Sequence, residues 1–218
     1  MAKSKIIKEL ANNEISLDIA LNRLFIIASD INNEELQQWA ECELHGYGKN
    51  KLPDYRYAKN TVFRYSGFNG NCQVKNASLP LLELLKDEDP SKFYLPIQDG
   101  IATIEKYIKD SSGHEYGRDL TWMSGMIYKS SGIQCYSIMQ IVPINILEGV
   151  ISTLKMLLIK IFIKLDKTYG CLDDLDINVE IVDDQTVTKT NTIIKNYIFE
   201  DKSITIGDGN KIVDSSLK

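Results

Sequence analysis

The amino-acid sequence predicts an α+β protein: an N-terminal three-helix unit, a β-hairpin with a small sheet, a long buried helix and a β-rich C-terminal tail. Three observations predict it. Apolar residues recur at helical steps up to Leu44, the period changes to strict alternation at Thr61-Val62-Phe63-Arg64-Tyr65, and residues 143–169 carry apolar side chains around most of a helix. The chain has 218 residues, 44% of them hydrophobic, which is enough for a substantial core. Its formal net charge of -5 argues against binding to nucleic acid or an anionic membrane through overall charge, so any such contact must be local.

Residues 6–10 form a first short helix that ends at Asn12-Asn13. Ser16 then offers an N-cap hydroxyl, with Asp18 in the first turn at the positive end of the helix dipole. Leu17, Leu21, Leu24, Ala28 and Ile31 give this second helix its core face. A third helix is expected from Asn32, with Glu35 in the place of a capping-box carboxylate and Leu36, Trp39, Ala40 and Leu44 facing inward; Gly46 and Gly48 end it. Pro53 fixes φ and extends Leu52, so residues 52–56 should be an ordered connection, with Tyr55 anchored by its ring and Arg56 held by a carboxylate or by helix C-terminal carbonyls.

The hairpin is expected to turn at Asn69-Gly70, a pair suited to a type I′ turn. Pro80 opens the short helical stretch Leu81-Leu82-Glu83-Leu84-Leu85-Lys86. Residues 101–109 read as a helix, and the glycine- and serine-rich residues 111–132 read mostly as loop. Residues 135–142 form a strand, and Pro143 starts the long helix. Lys155, Lys160 and Lys164 interrupt that helix too often for a membrane span, so it should be buried on several sides, within the fold or against another subunit. Ile177, Val179 and Ile181 alternate as in a half-exposed strand. Beyond them the tail carries β-prone runs around Gly207-Asp208-Gly209-Asn210, so residues 1–172 read as one α+β domain and 173–218 as a β-rich segment that pairs within the fold or between subunits.

The N-terminus has no signal-peptide pattern, which points to the cytoplasm. Cys42, Cys72, Cys135 and Cys171 lack any C-x-x-C pair and should be reduced and mostly buried, which leaves neither a disulfide framework nor a metal site. No cofactor is indicated. Serine nucleophile elbows, phosphate-binding P-loops and zinc helices are absent, and the 207–210 turn lacks a calcium ligand ladder. His45 and His114 are the residues a hydrolase would use, yet neither has a partner at a recognisable spacing, and the catalytic residues stay unassigned.

Local charge offers two features. Lys49, Lys51, Arg56, Lys59, Arg64 and Lys75, interleaved with Tyr55, Tyr57, Phe63 and Tyr65, could contact phosphates and stack bases, although a solvated edge hairpin explains them more simply. Asp173, Asp174, Asp176, Glu180, Asp183 and Asp184 make the region after the long helix acidic. Spare apolar surface on the long helix and tail, at Leu158, Phe162, Ile198, Ile204 and Ile206, is expected at a homo-oligomer interface.

Leu36, Trp39, Glu43, Leu44, Gly46 and Tyr47, followed by Leu52-Pro53-Asp54-Tyr55-Arg56, the Asn-Gly hairpin and Ser78-Leu79-Pro80-Leu81-Leu82-Glu83-Leu84-Leu85, resemble the amino-terminal region of the AbiTii family of bacterial abortive-infection proteins. The long helix is similar to the family's later helical segment, so the resemblance covers residues 5 to about 170. The apolar long helix and the unpaired β tail, together with this resemblance, predict a self-assembling toxin or interaction module whose partners are itself and other host or phage proteins. The resemblance itself implies a part in defence against bacteriophage, by halting growth or killing the infected cell, and gives no mechanism. It supplies no catalytic residues. Nucleic-acid binding through residues 49–75 and a hydrolase with an unrecognised site are the alternatives.

Overall fold

The computed structural model describes residues 3–86, 88–110, 115–173 and 182–199. Its first part is α1 (Lys5–Ala11), α2 (Leu17–Asp30) and α3 (Glu34–His45). Ser16 caps α2 by accepting from the Ile19 backbone N–H at 3.3 Å. The third helix starts one residue later than expected. Asn32 takes a left-handed φ of 50° just past the end of α2, and Asn33 is the cap, accepting from the Leu36 N–H at 3.0 Å. Glu35 therefore stands one place short of the capping-box position and pairs instead with Lys195.

Four strands, β2 (Val62–Asn69), β3 (Cys72–Ser78), β5 (Tyr116–Asp119) and β6 (Gln134–Val142), make an antiparallel sheet in the order β3-β2-β6-β5. The pair β1 (Tyr57–Ala58) and β4 (Leu95–Pro96) lies apart from it. Asn69 is opposite Cys72, so the hairpin loop is Gly70-Asn71, and of the two only Gly70 has positive φ; a type I′ turn on Asn69-Gly70 is thus corrected. Phe63, Tyr65 and Ile138 face inward onto α4 (Leu81–Leu84), α6 (Ser124–Ser131) and Phe93.

The segment read as loop is more ordered than expected: residues 116–119 are β5 and 124–131 are α6. Its glycines punctuate elements rather than dissolve them. A Cβ on Gly117 would lie 2.1 Å from the Gln140 carbonyl oxygen, so only glycine lets β5 approach β6, and Gly132 ends α6 at φ 74°.

The main core is helical. α7 (Ile144–Tyr169) runs through it, with α1, α2, α5 (Ile101–Lys109) and α8 (Asp184–Phe199) all packed against it. Leu158 and Phe162, expected at a subunit interface, are completely buried within this one chain because those helices cover α7 on several sides. No described helix is long and apolar enough to cross a membrane.

α8 is the largest departure from expectation. Residues 191–199 have the composition of a strand, rich in Ile and aromatic side chains, yet they are helical. Asp183 supplies the reason at one end, its carboxylate accepting from the Thr186 backbone N–H at 2.9 Å as an N-cap. Packing supplies the rest: Thr190, Ile194 and Ile198 recur every four residues and are buried, so Ile198 too faces the protein's own core. The alternating residues 177–181, together with Ile204, Ile206 and the turn at 207–210, lie outside the described residues.

Candidate functional site

Trp39, Glu43 and Tyr47 follow one another at four-residue steps, the first two on the inner face of α3 and the third just beyond its end. Gly46 turns the chain at φ 101°, and Pro53 at φ -66° leads into a single 3-10 turn over Asp54–Arg56. These two bends bring Tyr55 and Arg56 back onto α3. The expected ordered connection is present, and its Arg56 is held by a carboxylate, that of Glu43.

Glu43 is the centre of a buried network. One carboxylate oxygen, Oε1, accepts from the Tyr47 and Tyr55 hydroxyls and from Arg56 Nε at 3.3 Å; the other, Oε2, forms the ion pair with Arg56 Nη2. Arg56 Nη1 donates to the Asp99 carbonyl at 2.9 Å, and Trp39 Nε1 donates to the Tyr55 hydroxyl at 3.3 Å. The guanidinium also lies 5.3 Å from the Tyr47 ring centroid.

Burial, followed by the Glu43 charge, pushes the Tyr47 and Tyr55 phenols far above their usual range. Burial alone would lower the Arg56 guanidinium, but the charge and hydrogen bonds of Glu43 more than offset this and hold it above its ordinary value. Neither the Glu43 nor the Arg56 side chain is exposed to solvent, and every oxygen of the carboxylate is occupied by internal donors. The network therefore fixes α3 against the following turn rather than presenting an acid or base to a substrate.

Outside it, Trp39 and Tyr47 form part of the wall of a cleft of about 560 Å³ between α3, the loop to Lys51 and α8. Asn50 donates to the Cys42 sulfur at 3.2 Å, and burial pushes the Cys42 thiol up, away from a reactive thiolate. Cys42 is the one fully buried cysteine; Cys135 is half-buried and Cys72 and Cys171 are exposed, so the expectation of mostly buried thiols is corrected.

The cations expected to contact nucleic acid do not share one role. Arg56 is wholly buried, a correction that follows from its pairing with Glu43. Lys51 lies over the Phe199 ring, Lys59 is 3.9 Å from Asp54, and Arg64 is 2.9 Å from Glu115. Lys49 and Lys75 are exposed. His45 is exposed at the end of α3, and His114 lies outside the described residues. No group of three or more metal-ligating side chains occurs among the described residues.

The cleft walls supplied by Gln38, Asn50 and Lys195 are not legible in the sequence, because a β-rich segment over 173–218 brings no helix against α3. Sequence reasoning also missed Glu43 as the partner of Arg56, although the four-residue spacing of Trp39, Glu43 and Tyr47 was a usable signal. A family model described as AbiTii matches residues 4–193, which takes in the network and the first part of α8. No curated protein and no solved structure matches the chain.

Proposed function

The chain belongs to the AbiTii family, which implies a role in abortive infection, a defence against bacteriophage; from that premise we propose that it acts as a self-assembling toxin or interaction module, in the cytoplasm, rather than through an enzyme site. The observation that carries this reading is Trp122. Trp122 lies in the turn before α6 and is 73% exposed, and Met126, four residues on within α6, is exposed as well. Buried tryptophan is the usual state, and an outward tryptophan with an apolar neighbour has the character of an interface anchor. The exposed Tyr128, Tyr136 and Phe68 add aromatic surface; the last two rings meet edge to face at 5.7 Å. Self-association draws on these exposed side chains, and Ile204 and Ile206 of the C-terminal segment belong to the same proposal.

A nucleic-acid contact draws less support, because Arg56 is buried and Lys59 and Arg64 already face carboxylates. The test compares wild type with Trp122→Ser/Met126→Ser by light scattering at micromolar concentration and in phage-challenged cells. The wild type should scatter as an oligomer and arrest growth on infection, and the double variant should lose mass and defence together. A monomeric wild type that still defends would overturn self-assembly.

A further inference from the structure

The cleft between α3 and α8 falls within the roughly 300–1,000 Å³ typical of small-molecule sites. We infer that it is a binding site for a nucleotide: a flat heteroaromatic ring bearing phosphate. The phosphate preference comes from its two cations. Lys51 enters from the loop, with its ammonium 5.1 Å from the Phe199 ring centroid and no carboxylate partner among the described residues. Lys195 enters from α8 and meets Glu35 at 2.8 Å, with both side chains more than half exposed. Exposed pairs of this kind hold weakly and exchange readily for a stronger anion.

The ring preference comes from the remaining lining. Phe199 is half-buried, and its ring, over which the Lys51 ammonium lies, offers an aromatic surface to stack on when that lysine turns to a phosphate. Gln38 Nε2 donates to Asn50 Oδ1 only at 3.4 Å, the outer limit of a hydrogen bond, and Asn50 Nδ2 donates to a sulfur, a weak acceptor. The two side-chain amides thus keep hydrogen-bonding capacity for the edge of a base. A phosphate between Lys51 and Lys195 would tie the loop after α3 to α8, so occupancy would also stabilise the docking of α8.

Calorimetric titration of the full chain with ATP, GTP, CTP and UTP, alongside tripolyphosphate and adenosine, tests the site. At least one nucleotide should bind, and more tightly than tripolyphosphate or adenosine. Lys51→Glu and Lys195→Glu should each weaken it by about tenfold, the size of one lost charge-assisted contact. Phe199→Ala should weaken the nucleotide more than it weakens tripolyphosphate, which meets the ring only through Lys51. Both lysines are exposed, so their variants should keep the native circular dichroism spectrum. Failure of every nucleotide to bind, or binding undiminished in Lys51→Glu and Phe199→Ala, overturns the inference; tripolyphosphate binding as tightly as any nucleotide overturns its aromatic part.

Discussion

Arg56 and Glu43 form an ion pair in which neither side chain is reached by solvent. Thirteen positions separate them in the chain. Removing one partner strands the other charge in a low-dielectric interior, and the loss is usually about 3–5 kcal/mol. Glu43→Ala and Arg56→Met should each lower stability on that scale in urea unfolding, a large part of a typical total of about 5–15 kcal/mol. The double variant should lose less than the two single losses combined, because it leaves no unpaired charge. Strict additivity would mean that the pair is not coupled.

Trp39 is 3% exposed and its indole N–H is bonded to the Tyr55 hydroxyl. Trp39→Ala should cost on the order of 3–5 kcal/mol through the cavity it leaves. Trp39→Phe keeps most of the volume and should cost less, mainly the bond to Tyr55. An alanine variant with the melting temperature of wild type would contradict the packing of α3.

The pH dependence should appear on the alkaline side. The folded-state phenols of Tyr47 and Tyr55 lie above the ordinary value of about 10. The folded state therefore keeps protons that the unfolded state releases; the stability from these groups is fully present below about pH 10 and is lost as pH rises beyond it. Absorbance titration of tyrosinate should show these phenols ionising only together with the loss of near-ultraviolet circular dichroism. Ionisation of all tyrosines near pH 10 without unfolding would exclude the buried network.

Gln140 holds the sheet's polar centre. Its amide donates to the Thr61 hydroxyl at 2.8 Å and to the Phe93 carbonyl, and accepts from Arg118 at 2.7 Å, with no solvent exposure. Gln140→Leu fills similar space but abandons three partners, and should cost about 1–3 kcal/mol. Chemical denaturation at neutral pH measures it. A neutral effect would show that water replaces the amide.

Local chemistry along the chain was sufficient for much of this protein. The Ser16 cap, the four-residue stripe of α2, the alternation of β2, the extended Leu52 before Pro53 and the apolar run of α7 each depend on residues within one or two turns of one another, so propensity and periodicity determine them. The resemblance residues Trp39, Glu43, Tyr47, Tyr55 and Arg56 could also be picked out, though not their mutual bonds. Tertiary structure decided the rest. Composition favoured a strand where α8 is helical, and packing of Ile194 and Ile198 on the core overrode that preference. Several helices closing on α7 turned Leu158, Phe162 and Ile198 inward, the bends at Gly46 and Pro53 drew Arg56 out of solvent onto Glu43 and Asp99, and α8 closed a cleft against α3, where Lys195 meets Glu35 across 160 positions of the chain. Burial and partnership between such distant segments depend on which faces the folded chain brings together, and no local window contains that information.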